Sequence, residues 1–216
     1  MNKLLRATIK SISFSNTEII KNILDLHVPS HKIDLDPCYS TGVFYNSGFI
    51  QQPTLKYDIY PQAKGVKKAD CRHLPLKDAS LECIMFDPPF VVNGEVKGEK
   101  ASGVIARRFS FFNSSKEMTS FYKESLKEFY RLLKPKGILI FKCQDIVSGG
   151  VNYMSHCYIH NMAFKLGFYP KDLFILEARS RLINLDKTQR HARKFHCYFW
   201  VFEKGGKRDY IKNTAF

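Results

Sequence analysis

The chain has 216 residues, 44% of them apolar and 25% charged, a balance that suits one folded domain with its own core and argues against disorder. Its 34 lysines and arginines outnumber 20 acids, for a net charge of +14, which attracts polyanions over long range. No apolar run reaches the roughly 18 residues of a membrane span, and the opening Met1-Asn2-Lys3-Leu4-Leu5-Arg6 turns polar too soon for a signal peptide, so the expected location is the cytoplasm.

Helical spacing marks residues 17–24, with Asn16 or Thr17 available as cap. Residues 31–36 read as a first strand. The turn after it carries Ser40, Thr41 and Gly42, small enough for a ligand to approach the backbone closely. A second strand follows at 56–60. Its acid, Asp58, lies 22 residues beyond Asp36, the separation at which nucleotide-binding sheets place an acceptor for ribose hydroxyls. A short strand is expected at 67–70, ending on Asp70, with Cys71 next.

Residues 81–86 form an apolar run that reads as a buried strand. Asp87-Pro88-Pro89-Phe90 ends it. Proline fixes φ and donates nothing to a ladder, so the chain must leave the sheet just after Asp87. A carboxylate, a carbonyl and an aromatic ring are thereby gathered at the carboxyl end of a strand, where open α/β sheets bind ligands. These are the groups that would clamp an exocyclic amine. Residues 91–115 are long for a loop and carry Gly94, Gly98, Gly103, Arg107, Arg108, Phe109, Phe111 and Phe112; they read as a substrate lid or as a loop anchored by its aromatics.

An amphipathic helix is expected over 116–133, capped by Asn113 or Ser114 and stopped by Pro135 and Gly137. A fully apolar strand at 137–141, a helix at 153–166 and strands at 172–178 and 195–202 complete the order. The last two strands have no helix between them, so they should be antiparallel. Between them lies a basic segment with Arg179, Arg181, Lys187, Arg190, Arg193 and Lys194 against one acid, Asp186, suited to phosphates. Six scattered cysteines without a Cys-x-x-Cys pair read as reduced and mostly buried. His156 and His160 read as two positions on one helix face, so no metal site is expected.

Asp87-Pro88-Pro89-Phe90 resembles the Asp/Asn/Ser-Pro-Pro-aromatic signature of amino-methyltransferases, which methylate adenine N6, cytosine N4 and some protein amides or amines. The stretch from Asp36 to Gly42 resembles that family's Asp-Pro-Phe-x-Gly-x-Gly loop, with Ser40 where the first glycine falls. Arg131-Leu132-Leu133-Lys134-Pro135-Lys136-Gly137 resembles its Arg-x-Leu-Lys-Pro-Gly-Gly turn, and Lys142-Cys143-Gln144-Asp145 and His191-Ala192-Arg193-Lys194-Phe195-His196 resemble stretches of phage-type and orphan modification methylases.

The resemblance implies an α/β fold of the class I methyltransferase (Rossmann-like) type. That fold has a mainly parallel seven-stranded sheet, helices on both faces and an antiparallel C-terminal strand pair. It implies a single domain over residues 1–216 without a separate target-recognition domain, and S-adenosylmethionine as cofactor. Asp36, Pro37, Tyr39, Ser40, Thr41, Gly42, Asp58, Asp70 and Cys71 would hold that cofactor, with Asp87 bordering it. Asp87, Pro88, Pro89 and Phe90 would be catalytic, and the arginines and lysines of the loops would bind nucleic acid, with DNA favoured. Adenine N6 is the leading target. Cytosine N4, RNA adenine, a protein amide or amine, and a methyltransferase-like protein that only binds nucleic acid remain as alternatives.

Overall fold

The structure, a computed structural model, describes residues 8–92, 112–179 and 189–205. In chain order the elements are β1 (Ile12–Ser13), α1 (Asn16–His27), β2 (Leu35–Asp36), β3 (Leu55–Asp58), β4 (Lys67–Lys68), β5 (Leu81–Phe86), α2 (Ser115–Leu132), β6 (Leu133–Cys143), β7 (Ile146–Ser148), β8 (Val151–Tyr153), α3 (Ser155–Lys165), β9 (Phe168–Glu177) and β10 (His196–Lys204). One sheet runs β1-β9-β10-β6-β5-β2-β3-β4. Its pairings are parallel except where β10 lies antiparallel to both β6 and β9. The expected seven strands are therefore present. The two-residue β1 adds an eighth, parallel to β9 through Ile12 and Ile175.

Strand alternation divides the core between the two faces. Cys83, Met85, Ile138, Ile140, Phe199 and Val201 pack on one side with Ile19, Ile20 and Ile23 of α1. Ile84, Phe86, Leu139, Phe141 and Phe202 pack on the other with Leu126 and Phe129 of α2 and Ile159 and Ala163 of α3. Phe86 sits edge-on to Phe129 at 4.7 Å and to Phe141 at 4.9 Å, so truncating it to alanine should cost about 3–5 kcal/mol.

Helix ends follow local chemistry. Ser15, one residue before the expected caps, accepts from the Glu18 N–H. Ser114 accepts from Glu117 N–H at 3.1 Å while Glu117 accepts from Asn113 N–H at 2.8 Å, a reciprocal cap offset by one residue. α2 passes into β6 with no intervening loop, and Pro135 lies inside that strand, where residues 134–136 are exposed and the register to β5 slips. A Cβ at Gly137 would meet the Lys134 carbonyl oxygen at 2.9 Å, so the bulge requires glycine there. Arg131 fastens the helix end to the preceding loop through Glu128, Asp78 and the carbonyls of Leu74 and Leu76.

The β7–β8 hairpin was not expected from the sequence. Its turn is Gly149-Gly150, with φ of 56° and 78°, the double positive-φ turn that matches strand twist. Among the described residues, no helix is long and apolar enough to cross a membrane.

Candidate active site

β2, β3 and β5 are mutually parallel neighbours or linked through one, so their carboxyl ends share one edge of the sheet. Asp36, Asp58 and Asp87 stand there, with Asp58 and Asp87 both within electrostatic reach of Asp36. Asp36 is 2% exposed. It accepts from Tyr45 Oη at 2.8 Å and Cys38 N–H at 3.1 Å. Burial pushes its pKa up to about 7, outweighing those hydrogen bonds, with Asp87 and Asp58 adding to the rise.

The turn after β2 is built around the next strand's acid. Ser40 has φ 51°, a left-handed conformation that glycine adopts without strain. Its N–H donates to Asp58 Oδ2 at 2.8 Å, and Tyr60 N–H donates to Asp58 Oδ1 at 2.8 Å. Gly42 has φ 71°, and a Cβ there would lie 2.3 Å from Tyr39 Oη. Tyr39 in turn stacks on Tyr45 at 5.5 Å and donates to Gln52. Pro37 is buried beneath this turn and Thr41 is exposed on it. The serine thus adopts a backbone conformation that favours glycine, held there by a carboxylate.

Asp70 is differently placed. Its carboxylate is taken by Arg72 in a bidentate pair, Nη2 to Oδ2 at 2.6 Å, and the guanidinium holds its pKa below the ordinary range. Arg72 continues to Glu124 at 3.0 Å. Cys71 is buried, with Sγ 3.5 Å from Ser125 Oγ, and contacts Cys38.

At the end of β5, Asp87 Oδ2 accepts from Lys142 Nζ at 3.1 Å. Asp87 Oδ1 is buried and has no hydrogen-bond partner. Asn16 Oδ1 and Ser155 Oγ share that condition among the described residues, but neither side chain is charged. Pro88 is buried, while Pro89 and Phe90 are half-buried. Tyr122 of α2 donates to the Pro89 carbonyl at 2.8 Å, so the turn is pinned from beneath. Beyond it, Phe112 N–H donates to the Val91 carbonyl at 2.9 Å, and Val92 bridges to Phe112. Phe112 is 7% exposed and packs on Phe121 and Tyr122, which makes it a core anchor. Arg107, Arg108, Phe109 and Phe111 lie outside the described residues.

Of the basic residues, Arg181 and Lys187 also lie outside the described residues. Arg179 is exposed with its guanidinium 4.8 Å from the Phe14 ring. Arg190 and Arg193 are exposed and Lys194 half-buried. Gln144 fastens this segment to β6 by donating to the His196 carbonyl at 2.7 Å, and His191 Nε2 donates to the hairpin-tip carbonyl of Gly150 at 3.0 Å. Asp145 is 3% exposed and bonded to His156 Nδ1 at 2.8 Å, while His160 stacks on Phe164. Among the described residues no cluster of metal-ligating side chains is present.

Two contributors were given no role by the sequence reading. Tyr45, which bonds Asp36, carries no local signal. Lys142 had one: it follows Phe141 in the apolar run of β6 as Asp87 follows Phe86 in β5, and those two phenylalanines are register partners.

No curated protein matches the chain. Solved structures that resemble it include TTHA0409 of Thermus thermophilus, described as a putative DNA modification methylase and crystallised with S-adenosyl-L-methionine. That likeness has 20% identity over 64% of this chain and 54% of the other, with a TM-score of 0.45. The cytosine-N4-specific PvuII DNA methyltransferase matches at 18% identity over 63% and 48%, TM-score 0.47. TrmN from Thermus thermophilus matches at 14% over 89% and 50%, TM-score 0.50; at such identities a likeness speaks for the fold. The chain spans about half the length of the first structures that it matches. The DNA methylase family model matches residues 81–216, from β5 through the Asp-Pro-Pro-Phe turn to the last residue. Well over half of the chain is therefore covered, and the protein belongs to the DNA methylase family.

Proposed function

We propose that this protein transfers a methyl group from S-adenosylmethionine to the exocyclic amine of a DNA base, with adenine N6 as the favoured target. The observation that carries the reading is Asp87 Oδ1, a buried acceptor without a partner at the carboxyl end of β5. A buried polar atom left unbonded costs about 1–3 kcal/mol, a cost that an incoming N–H would remove. The surroundings suit the cofactor as well. Asp58 and Asp87 bring carboxylates to the strand ends where a sulfonium would lie, and a bound cation would favour the charged form of Asp36 as well. The Asp58 oxygens keep lone pairs for ribose hydroxyls beyond the two backbone bonds they accept. Asp36, Pro37, Tyr39, Ser40, Thr41 and Gly42 would wrap the cofactor, and Asp70 and Cys71 would border its adenine, all within a single domain.

When bound, the cofactor supplies an electrophilic methyl group on sulfur. The chain's own residues then do the positioning. Asp87 Oδ1 and the Pro88 carbonyl would each accept one N–H of the target amine, turning the nitrogen lone pair towards the methyl carbon. Phe90 would stack on the base and fix its plane. The methylated amine would carry one proton too many, which solvent water would take. A duplex base must leave its stack to reach this turn, and Arg179, Arg190, Arg193 and Lys194 would hold the flanking phosphates, with Arg107, Arg108, Arg181 and Lys187 proposed for the same role.

Mass spectrometry of nucleosides from DNA and RNA, incubated with the protein and methyl-labelled cofactor, tests this reading. Label in N6-methyldeoxyadenosine is the expected outcome. Label confined to N4-methyldeoxycytidine, or to adenosine of RNA, would overturn the adenine or the DNA assignment respectively. Measurable cofactor binding with no label anywhere would favour a nucleic-acid-binding protein without catalysis.

A further inference from the structure

Asp87 has one oxygen committed and one open, and a single side chain creates that asymmetry. Lys142 lies one residue past the Phe86–Phe141 register pair that joins β5 to β6. Its Nζ reaches Asp87 Oδ2 at 3.1 Å with the lysine side chain 11% exposed. Two aromatic rings hold the ammonium: Phe44, 5.0 Å from Nζ, and Phe199, 5.6 Å away. Phe199 is also the cross-strand partner of Lys142 on β10. A lysine stem normally ranges over many rotamers; packed between strands and rings, this one has a fixed head.

An ion pair of this kind is weak evidence for a stabilising role. Partly exposed ion pairs contribute little, and buried ones are often replaced by apolar residues without loss. Geometry accounts for it better. Asp36 lies within electrostatic reach of Asp87, so a charge on one opposes a charge on the other. Among the described residues, Lys142 is the one cation in ion-pair contact with Asp87. A carboxylate anchored through Oδ2 also cannot rotate freely, so it presents Oδ1 in one direction.

We infer that Lys142 is a positioning residue: its ammonium locks Asp87 Oδ2 so that Oδ1 alone is offered to the target amine. This rests on the methyl-transfer reading above. Lys142 then acts through Asp87 and touches neither base nor methyl group.

The test compares Lys142→Met and Lys142→Arg with the parent protein, alone and in an Asp87→Asn background, on duplex oligonucleotides. Lys142→Met should lower kcat by about 10²-fold, the usual cost of a slight misplacement. KM for DNA and the affinity for S-adenosylhomocysteine should stay within a few-fold, and Lys142→Arg should recover part of the loss. In the Asp87→Asn background Lys142→Met should cost nothing more. A second readout needs no turnover: the Lys142 side-chain nitrogen resonance should shift when Asp87 becomes asparagine. Full kcat in Lys142→Met, an equal loss in the Asp87→Asn background, or an unmoved resonance would each overturn the inference. If the parent protein methylates no nucleic acid, the methyl-transfer reading falls and the role in transfer falls with it. The resonance would still judge the pair, which separates the two failures.

Discussion

The carboxyl edge of the sheet carries the same residue type at neighbouring strand ends, yet its two halves use aspartate differently. On the β2–β4 side every carboxylate is engaged by groups of the protein itself. Asp36 takes Tyr45 and Cys38, Asp58 takes Ser40 and Tyr60, and Asp70 takes Arg72. These acids build the turns in which they stand. On the β5–β6 side Asp87 spends one oxygen on Lys142 and leaves the other buried and unpartnered. In the first half the protein itself holds all three acids, with lone pairs to spare on Asp58, and in the second a buried acceptor is left open. An acid at a strand end is thus weak evidence for chemistry until its hydrogen bonds are counted.

Substitutions at four positions test this contrast. Asp87→Ala should have the largest effect, lowering methyl transfer by something on the order of 10²–10³-fold, as when one preorganised transition-state hydrogen bond is deleted. Cofactor affinity measured by calorimetry should change far less; near-normal transfer in a folded Asp87→Ala protein would reduce the turn to a structural one. Asp58→Ala should instead weaken cofactor binding, by roughly 1.5–3 kcal/mol for the charge-assisted bonds lost. It also frees the Ser40 and Tyr60 N–H groups, so Asp58→Asn, which keeps an acceptor, should fall between. Unchanged affinity in Asp58→Ala would remove this residue from the cofactor site.

Asp36→Asn addresses the cost of burying a charge. The folded pKa, about 7, lies above the ordinary aspartate value of 3.8, so the folded state binds the proton more tightly than the unfolded chain does. The stability this group supplies is full below about pH 4 and is lost as pH rises towards about 7. Asparagine does not titrate. The melting temperature of Asp36→Asn relative to the parent should therefore climb between about pH 4 and about pH 7; a constant difference would mean that Asp36 keeps an ordinary pKa. The smallest effect should come from Ser40→Gly. Relieving a left-handed serine is worth roughly 1–2 kcal/mol, less the entropy that glycine adds to the unfolded chain, for a net gain of about 0.5–1 kcal/mol. Cofactor affinity should hold, because the N–H to Asp58 remains. A lower melting temperature would show that the Ser40 side chain itself contributes.

Much of the frame can be read from consecutive residues. The apolar run of β5 ends where the sequence says it should, at Phe86, because proline cannot continue a ladder. Period-two alternation in β5 and β6 already separates the two cores. The Gly149-Gly150 turn is equally local, a glycine pair between Ile146-Val147-Ser148 and Val151-Asn152-Tyr153. Ser40 announced a departure from the glycine pattern, but not that its backbone would keep the glycine conformation, since the compensating hydrogen bond comes from another strand.

The Lys142–Asp87 contact joins residues 55 positions apart. Propensity, capping and alternation act over a few residues, so they are written along the chain, together with the charge, the strand-end acids and the proline turn. Which side chains meet across parallel strands depends on register, and register is set when helices such as α2 pack their apolar faces on the sheet. It took that packing to give one oxygen of Asp87 to Lys142 and one of Asp36 to Tyr45, and to leave the other oxygen of Asp87 open.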